Sequence, residues 1–154
     1  MKKKIQKVVA MLPYFEGKIL LQLRDPKPEI VFPGHWGFFS GSMEEGETPR
    51  IAAFRELFEE LHYKPKRLRK VLVGYLPEQQ VESHVFCCVL DVPVNSLSLY
   101  EGMDFGLFSF EEILTKKIYS SKMNAYYPVI DASFFFNTIR EAIKIMEQGK
   151  NNQL

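Results

Sequence analysis

Hydrophobic and polar residues in the first quarter of the chain follow a strand-turn-strand pattern. Apolar strand formers dominate residues 6–15 (QKVVAMLPYF) and residues 19–24 (ILLQLR). Residues 16–18 (EGK) between them have the composition of a hairpin turn. The segment 25–35 (DPKPEIVFPGH) carries three prolines and a glycine, so we expect a surface loop there. A short strand is predicted at residues 36–41 (WGFFSG).

A helical pattern of apolar residues begins after Thr48. Thr48 suits the N-cap, and Pro49 suits the first helical position, where its missing N–H costs nothing. Apolar residues then recur at four-residue spacing and predict one buried stripe: Ala53, Leu57 and Leu61. Pro65 prevents the helix from continuing, so its end is predicted between residues 61 and 63.

The second half of the chain alternates strand and helix patterns. The predicted elements are strands at 68–76 and 81–92, a short strand or turn at 106–110, a brief helix at Glu111-Glu112, and a helix at 133–148. The order β-β-β-α-β-β-(short)-α predicts an α/β fold on a mixed sheet. We expect a single domain over residues 1–148 and a frayed tail at 149–154.

Composition and charge exclude several classes of protein. An apolar share of 46% and an aromatic share of 14% can fill a core, which excludes intrinsic disorder. A net charge of +1 implies no general attraction to nucleic acid or to anionic membranes. No apolar run approaches the roughly 18 residues of a membrane span. Cys87 and Cys88 are neighbours on a predicted strand and point to opposite faces, so a reduced, cytoplasmic protein is expected.

Six glutamates lie in the segment 41–63 (GSMEEGETPRIAAFRELFEELHY). Three of them share one helical face, where like charges repel: Glu56, Glu59 and Glu60. A solvated helix face is the ordinary interpretation of such a pattern. Two features favour a cation site instead: Phe54 and Phe58 flank the glutamates, and a glycine-containing turn at 41–46 directly precedes the helix. Carboxylates and loop carbonyls are hard oxygen ligands, which suit Mg²⁺ or Mn²⁺ better than zinc.

The spacing of this segment resembles the Nudix box, glycine-x5-Glu-x7-Arg-Glu-apolar-x-Glu-Glu-x-Gly-apolar. The matching residues are Gly41, Glu47, Arg55, Glu56, Leu57, Glu59, Glu60 and Tyr63. Such a match arises by chance in roughly 10⁻⁶ of chains of this length. Only the late glycine differs, since His62 stands in its place. The neighbouring strands and the length also resemble compact MutT-type members.

The resemblance implies an α/β/α sandwich with a mixed sheet and the box as a loop-helix-loop. It implies a Mg²⁺-dependent hydrolase whose substrate is a nucleoside diphosphate linked to another moiety, and the oxygen ligands leave Mn²⁺ as an alternative ion. The metal-binding residues carried over are the Gly41 carbonyl, Glu56, Glu59 and Glu60. Arg55 matches the arginine that orients those carboxylates, and Glu47 matches the glutamate that supports it. The general base is either Glu56, the first choice, or Glu101, which lies beside Gly102 and is alternatively a turn residue or metal ligand.

His62 leaves two alternatives for the end of the helix. It either adopts the left-handed conformation that glycine adopts freely, at a cost of about 1 kcal/mol, or the helix ends differently and Pro65 directs the exit. Neither alternative removes a catalytic atom, so we interpret His62 as structural.

Three residues are candidates for substrate binding. Arg24 is either a phosphate contact or a solvated charge at a strand end. Trp36 either stacks on a base or packs in the core, and Asn124 either binds a purine edge or is an ordinary loop residue.

We expect cleavage of a nucleoside triphosphate to the monophosphate and pyrophosphate. The alternatives are a nucleotide-sugar or dinucleoside polyphosphate hydrolase and a non-catalytic nucleotide-binding module. The lack of an evident extra N-terminal domain favours the triphosphate. A monomer and a homodimer are equally compatible with the sequence.

Overall fold

The structure is a computed structural model that describes residues 4–151. The strands are β1 (Gln6–Phe15), β2 (Lys18–Leu23), β3 (Trp36–Gly37), β4 (Phe39–Ser42), β5 (Arg69–Leu76), β6 (Val81–Val89), β7 (Asp104–Ser109), β8 (Lys117–Ser120) and β9 (Ala125–Pro128). The helices are α1 (Pro49–Leu61), α2 (Phe110–Leu114) and α3 (Ser133–Asn151), with one 3₁₀ turn at Val94–Ser96.

The main sheet is mixed, as predicted. Its path is β3-β2-β1-β6-β5, with β4 also paired to β1 and β7 paired to β2. Strands β1 and β6 run parallel, and the other pairs are antiparallel. Strands β8 and β9 form a separate hairpin.

Strand β1 lies at the centre and supplies side chains to both sides of the sheet. Leu12 and Tyr14 pack in the core on the α3 side, with Ile139 and Met146 of that helix. Met11 faces the other way and packs with α1. The near-continuous apolar run of β1 therefore reflects burial on both faces. The arrangement is an α/β/α sandwich, which confirms the predicted fold class.

Helix α1 begins and ends where the sequence predicts. The Thr48 hydroxyl accepts a hydrogen bond from the Ile51 amide at 3.2 Å, and Pro49 is the first helical residue. The predicted stripe of Ala53, Leu57 and Leu61 is buried. The helix ends at Leu61, and His62 adopts the left-handed conformation at φ 52° and ψ 35°. The first of the two alternatives for His62 is therefore the correct one.

Several predicted elements differ in the structure. The strand expected at 36–41 is divided, because β3 pairs with β2 while β4 pairs with β1. The β8–β9 hairpin was not expected, since its two four-residue strands are too short to show a period. Helix α3 continues to Asn151 beyond the predicted end, and residues 152–154 of the predicted tail lie outside the described residues. The single-domain boundary stays a prediction.

The two cysteines lie where the strand alternation predicts. Cys87 packs in the core on the α3 side and Cys88 in the core on the α1 side, and both thiols are free. Within residues 4–151 no helix combines the length and the apolar content that crossing a bilayer requires.

Candidate active site

Arg55 connects the loop before α1 to the acidic face of the helix. Its Nε and Nη2 donate to the two carboxylate oxygens of Glu47 at 2.7 and 2.8 Å. Nη1 donates to Glu56 at 2.9 Å and to Glu59 at 3.2 Å, and Nη2 also donates to the Ser42 carbonyl at 3.0 Å. These bonds hold the pKa of Glu47 down to about 2 and raise that of Arg55. The structure thus brings Arg55 and Glu47 together as the sequence predicts.

The Glu56 carboxylate lies directly against the backbone of β4. A Cβ atom placed on Gly41 would lie 2.0 Å from the Glu56 carboxyl carbon, so a side chain at residue 41 would displace that carboxylate. Burial raises the pKa of Glu56, and the Arg55 bond opposes that rise. Glycine at position 41 therefore allows the carboxylate to lie this close to β4.

Glu60 is the most buried acid of the site. Its side chain lies on the core side of α1 with 2% exposure, and Oε2 has no hydrogen-bond partner. Burial, followed by the nearby carboxylates of Glu101 and Glu56, raises its pKa to about 10, while Arg24 acts in the opposite direction. A buried carboxylate with like-charged neighbours requires either a proton or a cation.

Glu101 reaches this site from a loop distant in sequence. The loop comprises residues 97–103, and we call it the Glu101 loop. It is held to β2 by a hydrogen bond of 2.8 Å from the side-chain amide of Gln22 to the backbone carbonyl of Glu101. Gly102 has φ +94°, and a Cβ there would lie 2.8 Å from the Leu23 carbonyl oxygen. Close packing on β2 thus places Glu101 beside Glu60. We refer to Glu56, Glu60 and Glu101 as the acidic cluster.

Arg24 lines a cleft next to the acidic cluster. Its Nε donates to the Val31 carbonyl at 2.7 Å, which fixes the guanidinium at the cleft. Burial lowers the pKa of Arg24, and Glu101 and Glu60 counteract this effect. The cleft encloses about 60 Å³, and its lining residues are Gln22, Arg24, Asp25, Lys27, Ile30, Glu101 and Gly102. It is far smaller than the roughly 300–1,000 Å³ of pockets that enclose whole ligands.

The acidic cluster has the chemistry of a divalent-cation site. The unpartnered Glu60 oxygen and the Glu56 carboxylate against Gly41 supply oxygen donors, the kind that Mg²⁺ and Mn²⁺ prefer. Glu59 is 55% exposed and bonds to Arg55. Across residues 4–151, no group of three or more aspartate, glutamate, histidine or cysteine side chains is arranged so that it could hold a metal ion as it stands. Ion binding would therefore require carboxylate rotations within the site.

Two predicted substrate residues make contacts that account for their positions in other ways. The Trp36 indole is 1% exposed, donates to the Ile118 carbonyl at 3.1 Å and packs edge-on against Phe108. The structure therefore supports its core-packing alternative and corrects the stacking interpretation. Asn124 lies between β8 and β9 at φ 55°, and its side chain accepts a hydrogen bond from Tyr119. A positive φ is the ordinary reason for asparagine in a turn.

Gln22 and Tyr100 are contacts that the sequence interpretation missed. Gln22 is only 3% exposed although it is polar, and a polar residue within the apolar run ILLQLR was the available signal. The Tyr100 amide donates to the Glu60 carbonyl at 2.9 Å, which ties the Glu101 loop to the end of α1. No local pattern announces that contact, because it joins residues 40 positions apart.

The acidic cluster and the neighbouring Arg24 guanidinium are the kinds of group that hydrolysis of an anionic phosphate compound uses. The sequence model of the NUDIX domain matches residues 4–127. The chain belongs to the Nudix family, and it is a hydrolase that acts on pyrophosphate bonds. Members of this family generally use a divalent metal ion.

Solved structures share the fold. A NUDIX hydrolase from Nitrosomonas europaea is 20% identical, with 97% of this chain and 76% of that chain covered at a TM-score of 0.67. A MutT protein from Methanosarcina mazei Go1 is 22% identical, with 91% and 96% covered at 0.64. The NUDIX domain of Shewanella oneidensis NrtR, in complex with ADP ribose, is 15% identical, with 95% and 90% covered at 0.66.

Replacing Glu47 with glutamine should reduce hydrolysis about tenfold, since partners that orient ligand residues typically contribute that much. The amide supplies one acceptor where the carboxylate supplies two, so Arg55 loses part of its anchor. Steady-state kinetics measure the effect, with Glu45→Gln as the control because Glu45 is an exposed neighbour. Equal rates for the two variants would refute the anchoring role of Glu47.

Proposed function

We propose that this protein is a Mg²⁺-dependent pyrophosphohydrolase that cleaves a nucleoside triphosphate to the monophosphate and pyrophosphate. Water attacks phosphorus, and a phosphoric anhydride bond breaks. The observation that carries the proposal is the position of the Arg24 cation beside the acidic cluster, at a cleft of about 60 Å³. The free, buried thiols fit a reducing compartment, and we propose the cytoplasm.

The residues proposed to hold the ion are the carbonyl of Gly41 and the carboxylates of Glu56, Glu59 and Glu60. The bound ion would neutralise phosphate charge and lower the pKa of water. Glu60 already has an oxygen without a partner, whereas Glu59 would first have to leave Arg55. Mn²⁺ has the same ligand preference and is the proposed substitute.

Glu56 is the proposed proton acceptor, and Glu101 is the alternative. Burial raises the pKa of Glu56 above its ordinary value, which is the direction that makes a carboxylate a stronger proton acceptor. Glu101 is exposed at the cleft, where it can also meet substrate or complete the metal site. Comparison of kcat for Glu56→Gln and Glu101→Gln assigns the role to the residue with the larger loss.

Arg24 and Lys27 supply the cleft with cationic groups that can bind a phosphate, alongside the carboxylates of Asp25 and Glu101. Only part of a nucleotide fits into a cleft this small, so the remainder of the substrate would lie across the surface. A second candidate substrate is an ADP-sugar, and the ADP ribose bound by the Shewanella NUDIX domain favours its inclusion. The proposed partner is thus a small nucleotide-linked molecule, and nucleic acid is not part of the proposal.

A substrate screen with Mg²⁺ tests this assignment. The panel contains the common and oxidised nucleoside triphosphates, ADP ribose and a diadenosine polyphosphate, with products identified by chromatography. We expect a triphosphate to give the highest kcat/KM, with pyrophosphate as the second product. Release of single phosphates, or a preference for ADP ribose, would contradict the proposal. Arg24→Ala should raise KM for the preferred substrate about tenfold or more.

A further inference from the structure

Three aromatic rings form a stack at the C-terminal end of α1. The His62 ring lies 4.9 Å from the Phe58 ring with 12° between their planes, and 4.0 Å from the Tyr100 ring with 17°. We call Phe58, His62 and Tyr100 the aromatic stack. Phe58 is 40% exposed and Tyr100 is 58% exposed, so the stack lies at the surface rather than in the core.

His62 holds this position in a backbone conformation that glycine would adopt without strain. Its φ of 52° lies in the left-handed region, where residues other than glycine are strained. Glycine would satisfy the helix end equally well, because the bond from the residue 62 amide to the Phe58 carbonyl uses only backbone atoms. Glycine lacks the whole side chain, and the ring of that side chain makes the contacts with Phe58 and Tyr100, so the ring is where a role for His62 lies.

The ring connects α1 to the loop that carries an acid of the site. Tyr100 directly precedes Glu101, and its amide donates to the carbonyl of Glu60 at 2.9 Å. On the other side, the side-chain amide of Gln22 on β2 donates a hydrogen bond to the backbone carbonyl of Glu101. The loop is therefore fixed at two points, one on β2 and one at the end of α1, and the contact of Tyr100 with His62 belongs to the second.

We propose that His62 is a positioning residue that holds Glu101 beside Glu60 through the aromatic stack. In this chain the family glycine is replaced by a residue that fastens the Glu101 loop at the cost of backbone strain. The kinetic part of this inference rests on the proposed function, whereas the structural part does not. Two kinds of measurement therefore test it.

Three substitutions of His62 separate the ring from the backbone. His62→Asn tolerates the left-handed conformation and has no ring, His62→Gly relieves the strain, and His62→Phe keeps a ring. Tyr75→Ala serves as the control, because Tyr75 is a 53% exposed tyrosine on β5. Melting temperatures should stay within about 3 °C of the wild type, because a stacking contact between surface rings contributes only about 1 kcal/mol.

Hydrogen exchange at the Tyr100 backbone amide tests the role of the aromatic stack without any substrate. We expect exchange to rise about fivefold in His62→Asn and His62→Gly, and to stay within about twofold in His62→Phe and Tyr75→Ala. Wild-type exchange in both ring-free variants would overturn the proposal. This result does not depend on whether the protein hydrolyses a triphosphate.

Kinetics on the preferred substrate of the screen test the consequence for Glu101. In the ring-free variants kcat should fall about fivefold while KM changes less than about twofold, and His62→Phe should restore kcat. An equal loss in His62→Phe would overturn the positioning role, because the imidazole itself would then act. If no nucleotide of the panel is hydrolysed, the proposed function fails. The exchange experiment still tests whether the ring of His62 holds the Glu101 loop in place.

Discussion

Glu60→Gln is expected to abolish hydrolysis and, at the same time, to stabilise the cation-free protein at alkaline pH. The first effect should reach several orders of magnitude in kcat, because a buried donor of the proposed cation site is lost. The second follows from the raised pKa of Glu60, about 10 in the folded protein. A buried acid without a cation has to be protonated or to carry an unfavourable charge.

The sign of the pH effect follows from the direction of that shift. The unfolded carboxyl has a pKa of about 4.3, below the folded value, so the folded state binds the extra proton. The stabilising contribution is complete below about pH 4 and is lost as the pH rises towards 10. In EDTA, the free energy of unfolding of the wild type should therefore decline by a few kcal/mol between pH 5 and 9. Each kcal/mol lost should lower the melting temperature by roughly 2–4 °C. The Gln variant should lack this decline.

Melting curves across pH, recorded in EDTA for the wild type and Glu60→Gln, measure this effect. Glu59→Gln is the matched control, because Glu59 lies one position away but is 55% exposed. Its melting temperature should follow the wild-type pH dependence although its hydrolysis is also reduced. A parallel decline in Glu60→Gln would show that Glu60 is not the buried acid responsible.

Gly41→Ala is expected to reduce kcat by about two orders of magnitude or more. The new Cβ would lie 2.0 Å from the Glu56 carboxyl carbon, so that carboxylate must leave its position against β4. Glu56 is the proposed base and a proposed ligand, and displacements of about 1 Å at such groups can cost about a hundredfold. The melting temperature should fall by only a few degrees, because α1 can keep its packing.

Gly17→Ala is the matched control for this substitution. Gly17 lies in the β1–β2 hairpin at φ +82°, and a Cβ there has nothing within 4 Å. The control should lose stability through backbone strain while it retains wild-type kcat. Steady-state kinetics and thermal melting of both variants separate the two effects. A Gly41→Ala enzyme with normal kcat would show that Glu56 is not needed where the structure places it.

The box helix could be predicted from sequence because its signals are local. The Thr48 cap, the Pro49 start and the four-residue spacing of the apolar stripe all operate within one helix, and each agrees with the structure. The acidic face follows from the same period. The central strands were likewise marked by long apolar runs, since β1 is buried on both faces of the sheet.

The parts that sequence could not supply depend on contacts between distant segments. The indole of Trp36 is of a type that can stack on a nucleotide base, but here it is buried against β7 and β8. The proximity of Glu101 to Glu60 depends on the fold of a loop onto β2 and α1. The conformation of His62 was left as two alternatives for the same reason, because the Tyr100 ring that contacts it lies 38 positions further along the chain.

The most direct test of the cation site is a crystal structure of the protein soaked with Mn²⁺, with the ion located by its anomalous scattering. The proposal predicts a peak among the carbonyl of Gly41 and the carboxylates of Glu56, Glu59 and Glu60, at about 2.1–2.3 Å from the oxygens that bind the ion. The peak should be absent from crystals of Glu60→Gln soaked in the same way. A Mn²⁺ ion bound elsewhere, with none of these groups in contact with it, would contradict the assignment.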